Sequence, residues 1–220
     1  SFTVSSGSYD RIDCLIAVPF SIVGADLKSQ EWQLVEIIEN TSISKAIQID
    51  QKNKDQFWFV LDGFTAKQTD RKFTLIKKPT GQKHNQIKLH KENGALQFLS
   101  NKRPVLNYQY GMTLPPEGVN EKFKKSGFLH PVWSPGGEEL TRIQAPDHYH
   151  HYGIWGPWTK THIGERQVDF WNLGDEQGTV LFKSFLDETQ GDVFSSFTAL
   201  QEHIDFGATD ENKIAINEAL

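Results

Sequence analysis

The sequence predicts an all-β protein built as an antiparallel β-sandwich. Three observations carry that expectation. Short runs rich in aromatic and β-branched residues recur along the chain, several of them alternate apolar and polar side chains, and turn-forming residues separate them. No segment shows a long, capped pattern with the 3.6-residue period of a helix.

The expected strands are EWQLVEIIE (31–39), FWFVLD (57–62), RKFTLIKK (71–78), QIKLH (86–90) and ALQFLS (95–100). Turns are expected at Lys52-Asn53-Lys54-Asp55, Asp62-Gly63, Pro79-Thr80-Gly81 and Glu92-Asn93-Gly94. Asn93-Gly94, between QIKLH and ALQFLS, is a good hairpin signal. Gly94 and Gly111 are read as turn glycines. Residues 112–126, with Pro115-Pro116, and residues 134–147 read as loops. Strand character returns in TVLFKSFLDE after Gly178 and in VFSSFTALQEHIDF after Gly191-Asp192. The closing KIAINEAL reads as a strand start or a short helix. The chain is expected to form one sandwich domain over 1–220, with plain hairpins in 1–102 and a loop-rich, site-bearing part in 103–220.

A chain of 220 residues can bury a substantial core. Its mean hydropathy is −0.50, and it has no run of 18 apolar residues that could span a bilayer as a helix. The first residues, SFTVSSGSYDRIDCLIAVPF, lack a basic segment followed by a long apolar one, so a signal peptide is either not encoded or removed. Cys14 is the single cysteine, which excludes an internal disulfide and a cysteine-rich zinc site, and its apolar neighbours suggest a buried small hydrophobe. Charge is uneven. Residues 1–126 carry 18 basic and 13 acidic side chains, whereas 127–220 carry 5 basic and 15 acidic ones. The acidic half argues against binding a phosphate backbone and suits a cation or a neutral polar ligand.

That acidic half holds the unusual chemistry. Four of the eight histidines, His130, His148, His150 and His151, fall within 22 residues, and Trp133, Trp155, Trp158 and Trp171 lie in or beside that span. An extended segment would put His148 and His150 on one face, and Asp147, Tyr149 and His151 on the other. His148 and His150, joined by His130 from a neighbouring strand and by His151, are candidate ligands for a divalent metal of unspecified identity. The same residues also suit metal-free acid–base work, with Asp147 or Asp169 as the carboxylate partner. Histidines merely hydrogen-bonded in a polar core, or exposed at the surface, are the plain alternative, and for His84, His90 and His203, which stand apart, it is the preferred one. His162 is intermediate.

Asp169, beside Phe170-Trp171, suits hydroxyl binding next to a stacking ring, and equally a structural strand start. Trp32 and Trp58 read as core, whereas Trp155 and Trp158, spaced by Gly156-Pro157, read as a rim or pocket. The sequence has neither a phosphate-cradling loop nor a serine nucleophile elbow.

The strings GFLHPVWSPGGEELT, PDHYHHYGIWGPW and DFW, with RPVLNYQYG upstream, resemble the DUF6807 family, also labelled methane oxygenase PmoA-like. The match covers roughly residues 103–171. The resemblance implies a β-sandwich related to the galactose-mutarotase-like supersandwich. It also implies a periplasmic or secreted setting and association with sugar-degrading enzymes. Its marked positions fall on His130, Asp147, His148, His150, His151, Trp155, Asp169 and Trp171. The family pattern runs past Leu220, so the chain is either a short member or one lacking C-terminal strands.

The leading expectation is therefore an enzyme of epimerase, lyase or hydrolase type acting on a small carbohydrate or glycoside. His130, His148, His150 and Asp147 would be catalytic. His130, His148, His150 and His151 would hold any metal. Trp155, Trp158, Asp169 and Trp171 would bind substrate. A non-catalytic carbohydrate-binding sandwich is the alternative, and an oxygenase component ranks last.

Overall fold

The computed structural model describes residues 1–23, 32–39, 41–49, 55–77 and 87–220. The turns expected over 52–54 and 79–81, and His84, lie outside the described residues. The fold is all-β, with antiparallel pairing throughout the described sheets. The chain groups into two compact units. One comprises residues 1–87 with 191–194, the other residues 88–190 with 195–220. No helix among the described residues is long and apolar enough to cross a membrane.

The first unit has two sheets. One runs in the order β1 (Phe2–Ser5), β7 (Asp70–Lys77), β3 (Trp32–Ile38), β4 (Thr41–Lys45). The other runs β2 (Arg11–Pro19), β6 (Gln56–Thr65), β5 (Gln48–Ile49). Val18, Phe57, Phe59 and Leu61 from the second sheet meet Leu34 and Phe73 from the first. Their alternation along each strand is what makes one face of each sheet apolar. Cys14 packs partly buried against this core. Glu36 is buried in β3, where Arg71 donates two hydrogen bonds to its carboxylate at 2.6 and 2.7 Å and Lys45 lies 3.2 Å away. Those cations, the Arg71 hydrogen bond foremost, hold the carboxyl below its ordinary range. The expected turn at Asp62-Gly63 is instead a bulge inside β6: three residues of β6 oppose two of β2, Gly63 has φ +73°, and its N–H donates to Asp13 Oδ1 at 2.7 Å.

The second unit carries a sheet ordered β8 (Ile87–Glu92), β9 (Ala95–Ser100), β10 (Arg103–Gln109), β11 (Phe128–Val132), and another ordered β16 (Gly178–Thr189), β17 (Ser196–Asp205), β18 (Ile214–Ala219). Leu96, Phe98 and Tyr108 of the first sheet pack with Ala199 of the second, and Phe182, Phe185 and Phe197 fill the layer between. Two small hairpins, β12 (Ile143–Ala145) with β13 (His148–Tyr152) and β14 (Thr161–Ile163) with β15 (Arg166–Val168), complete the unit. KIAINEAL forms the edge strand β18. Asn93 and Gly94 turn the expected β8–β9 hairpin, with φ of +49° and +77°. Gly111 is not a turn glycine. It is required by close approach, since a Cβ there would come within 2.8 Å of the Gly94 Cα.

Candidate functional site

The β12–β13 hairpin is irregular, and the irregularity arranges the histidines. Ile143 pairs with Tyr152 and Ala145 with His148, so a two-residue step on β12 faces a four-residue step on β13. Strict alternation along β13 is therefore lost. Tyr152 anchors one end of the strand. It is buried against Phe128 at 4.8 Å between ring centroids, its hydroxyl donates to Phe123 O, and Gln144 Nε2 donates to that hydroxyl at 2.6 Å. Tyr149 packs on Phe123. Gly153, with φ +50°, follows. A Cβ there would overlap Leu129 O, and its absence lets Leu129 and Ile154 exchange backbone hydrogen bonds at 2.8 and 3.1 Å. That contact sets the end of β13 against β11.

The expected separation of His151 from His148 and His150 does not occur, because the bulge removes the period of two. The rings of His148 and His150 lie 5.8 Å apart, those of His148 and His151 4.7 Å, and those of His150 and His151 4.5 Å. Trp171 closes one side, edge-to-face with His150 at 4.8 Å and tilted on His151 at 5.4 Å. Burial, and then the neighbouring His151 and His148, lower the His150 pKa, with Asp175 and Asp169 opposing. Asp147 Oδ2 is 3.0 Å from His148 Nδ1, and both side chains are exposed. The Asp147 carboxyl lies below its ordinary range, chiefly through a backbone hydrogen bond and then through His148.

His130 takes a different partner. Its Nδ1 lies 3.0 Å from Thr141 Oγ1 and 3.8 Å from Glu139 Oε1, and its side chain is mostly buried. Burial lowers its pKa against the pull of Glu139. Thr141 also accepts from Val132 N–H at 3.1 Å, so one hydroxyl ties β11 to the histidine it carries. The sequence reading passed over Thr141.

The expected metal set is not assembled. Among the described residues no group of three or more His, Cys, Asp or Glu side chains is arranged to hold a metal ion. The three imidazoles meet at interplanar angles of 51°, 34° and 82°, and His130 is bonded to Thr141.

The expected substrate-binding set is also dispersed. Trp171 belongs to the imidazole cluster. Asp169 holds the turn that presents Trp171: its Oδ1 accepts from the N–H groups of Trp171 at 2.7 Å and Asn172 at 3.2 Å. Trp155 instead covers Lys125, whose Nζ sits 3.5 Å from its ring centroid. Trp158 is half exposed and donates from Nε1 to Glu218 Oε1 at 3.4 Å.

A row of buried polar residues escaped the sequence reading. Gln201, His203 and Asp205 share the inner face of β17 with Ala199. Gln201 donates to Tyr108 OH and Gly127 O, both at 3.0 Å. Asp205 is held below the ordinary carboxyl range first by its hydrogen bond from Arg166. His203, expected to be a plain hydrogen-bonded histidine, is fully buried and faces Glu218 at 3.0 Å. The available signal was the spacing 201, 203, 205 inside an evident strand. Lys125, fully buried, left no such signal in MTLPPEGVNEKFKKS.

No curated protein and no solved structure matches the chain. A family described only as one of unknown function, DUF6807, matches residues 95–219. That span takes in β9 to β18, and with them the imidazole cluster, His130 and the polar face of β17. It covers more than half of the chain, and the protein belongs to the DUF6807 family.

Proposed function

We propose that the protein acts on a carbohydrate or glycoside by proton transfer at the imidazole cluster. The observation that carries this reading is the gathering of His148, His150 and His151 beside the Trp171 ring. Neutral imidazoles both donate and accept hydrogen bonds, which suits hydroxyl-rich ligands, and the tryptophan offers an apolar wall for C–H groups. His150 is the general base, since burial and its histidine neighbours keep it unprotonated near neutral pH. Asp147 takes the Nδ1–H of His148 and so leaves Nε2 of that ring as an acceptor.

On a keto-sugar, His150 takes a proton from the carbon next to the carbonyl as the C–H electron pair moves towards the carbonyl oxygen. Protonation of that carbon on the opposite face by a second donor, with the His150 proton passing to solvent, gives epimerisation. Departure of a hydroxyl from the next carbon, taking a proton with it as water, gives elimination. The setting proposed is periplasmic or extracellular, on the family resemblance alone.

Reducing sugars, 3-keto-sugars and glycosides screened for turnover test this. His150→Ala and His148→Ala should each lower the rate about 100-fold or more. Turnover that persists in both variants overturns the reading. A second reading is binding without catalysis, in which His130, bonded through Nδ1 to Thr141, is a structural histidine. Saccharide binding with no conversion of any compound decides for it.

A further inference from the structure

Glu218 is a surface carboxylate with two nitrogen donors aimed at it, one of them from a fully buried ring. His203 Nε2 lies 3.0 Å from Glu218 Oε2, and Trp158 Nε1 lies 3.4 Å from Oε1. The His203 side chain is 0% exposed, and its Nδ1 has no hydrogen-bond partner among the described residues. That fixes the tautomer. A proton on Nδ1 would bury an unpaired N–H and set the Nε2 lone pair against a carboxylate. The proton therefore sits on Nε2 and is donated to Glu218. Phe170 packs edge-on to the imidazole at 5.2 Å and holds the ring in place.

The arrangement is costly for stability alone. An apolar side chain at position 203 would fill the same face of β17 without an unpartnered nitrogen. What the histidine achieves is to hold a carboxylate in one orientation while leaving it 28% exposed. The aromatic neighbour is also held. Trp158 O accepts from Phe170 N–H at 3.0 Å, yet the Trp158 residue remains 49% exposed. An exposed indole face with a fixed carboxylate at its N–H edge is complementary to a pyranose. The C–H face of the sugar lies on the indole, and two neighbouring hydroxyls donate to the carboxylate oxygens.

We infer that Trp158, Glu218 and His203 form a second saccharide-binding subsite, built on β17, β18 and the segment before β14 rather than on β13. Trp158 is the stacking surface, Glu218 accepts the hydroxyls, and His203 is the positioning residue behind Glu218. The inference rests on the carbohydrate reading given above and adds a place where a second sugar unit, or the non-reacting part of a glycoside, is held.

The test is a titration of the protein with methyl glycosides of common hexoses and pentoses and with their disaccharides, followed by calorimetry and saturation-transfer NMR. Trp158→Ala and Glu218→Gln should each weaken binding about tenfold or more, and Trp158→Phe, which keeps a stacking ring, should retain part of the affinity. His203→Leu should weaken binding while leaving Trp158 and Glu218 in place. Unchanged affinity in Trp158→Ala and Glu218→Gln overturns this subsite and leaves the imidazole-cluster reading standing. Failure of the unaltered protein to bind any saccharide overturns both. Binding of tetramethylammonium at Trp158 with no saccharide bound overturns the subsite as a sugar site.

Discussion

The Nζ of Lys125 lies 3.5 Å from the centroid of the Trp155 ring, and the lysine is wholly buried. Its hydrogen bond goes to Val180 O at 2.7 Å. Attraction of an ammonium to a desolvated indole is worth about 2 kcal/mol. Removing that ammonium from water costs several kcal/mol even after relaxation, so burial disfavours the charged form more than the indole favours it. Burial accordingly pushes the lysine pKa well below its ordinary value.

Because the folded value lies below the ordinary 10.5, the unfolded chain binds the extra proton between the two values. The contribution of Lys125 to stability therefore rises with pH through that window. Lys125→Met, which keeps the length and removes the proton, should raise Tm at pH 7 and flatten the gain in Tm between pH 7 and 9. Thermal melts at the two pH values check both parts.

The junction of β13 and β11 depends on Gly153. Alanine there meets both a left-handed backbone, φ +50°, and overlap with Leu129 O. Gly118 also has positive φ, +81°, but open space around it. Gly118→Ala should cost about 1 kcal/mol from backbone strain alone, and Gly153→Ala about 3 kcal/mol or more. Urea unfolding midpoints measure the difference.

Asp169 separates a turn-forming role from a ligand-binding one. Its Oδ1 accepts two backbone N–H groups, and asparagine keeps that acceptor. Asp169→Asn should leave stability and saccharide affinity close to those of the unaltered protein. Asp169→Ala should lose about 1 kcal/mol and weaken whatever depends on Trp171. A large loss of affinity in the asparagine variant would show that the charge itself meets the ligand.

His150 and His130 both titrate below the ordinary histidine value of 6.5, each chiefly through burial. Between their folded values and 6.5 the unfolded chain holds more protons, so stability rises with pH in that window and falls as pH drops through it. Tm should be lower at pH 5.5 than at 7.5, and His150→Gln should reduce the difference. The proposed reaction should slow over the same range as His150 gains its proton.

Much of the fold was legible in the chain because strand signals are local. The aromatic and β-branched run FWFVLD, the Asn93-Gly94 turn and the apolar runs of β16 and β17 each depend on neighbours a few residues apart. The exceptions were local conflicts that tertiary contact resolved: Asp62-Gly63 reads as a turn but is a bulge, since Asp13 reaches across from β2 to take the Gly63 N–H.

The sequence by itself determined the all-β class, the hairpins and the concentration of imidazoles in an acidic half of the chain, all of which follow from composition and short-range periodicity. Only the tertiary structure decided which of those side chains meet. The register of β12 against β13 brought three imidazoles together that strict alternation would have parted, and Thr141 supplied the partner of His130 Nδ1. His203 and Glu218, fifteen residues apart, meet because β17 and β18 are paired. Such meetings depend on strand register and on which buried polar group finds which partner, and neither is a property of any single stretch of chain.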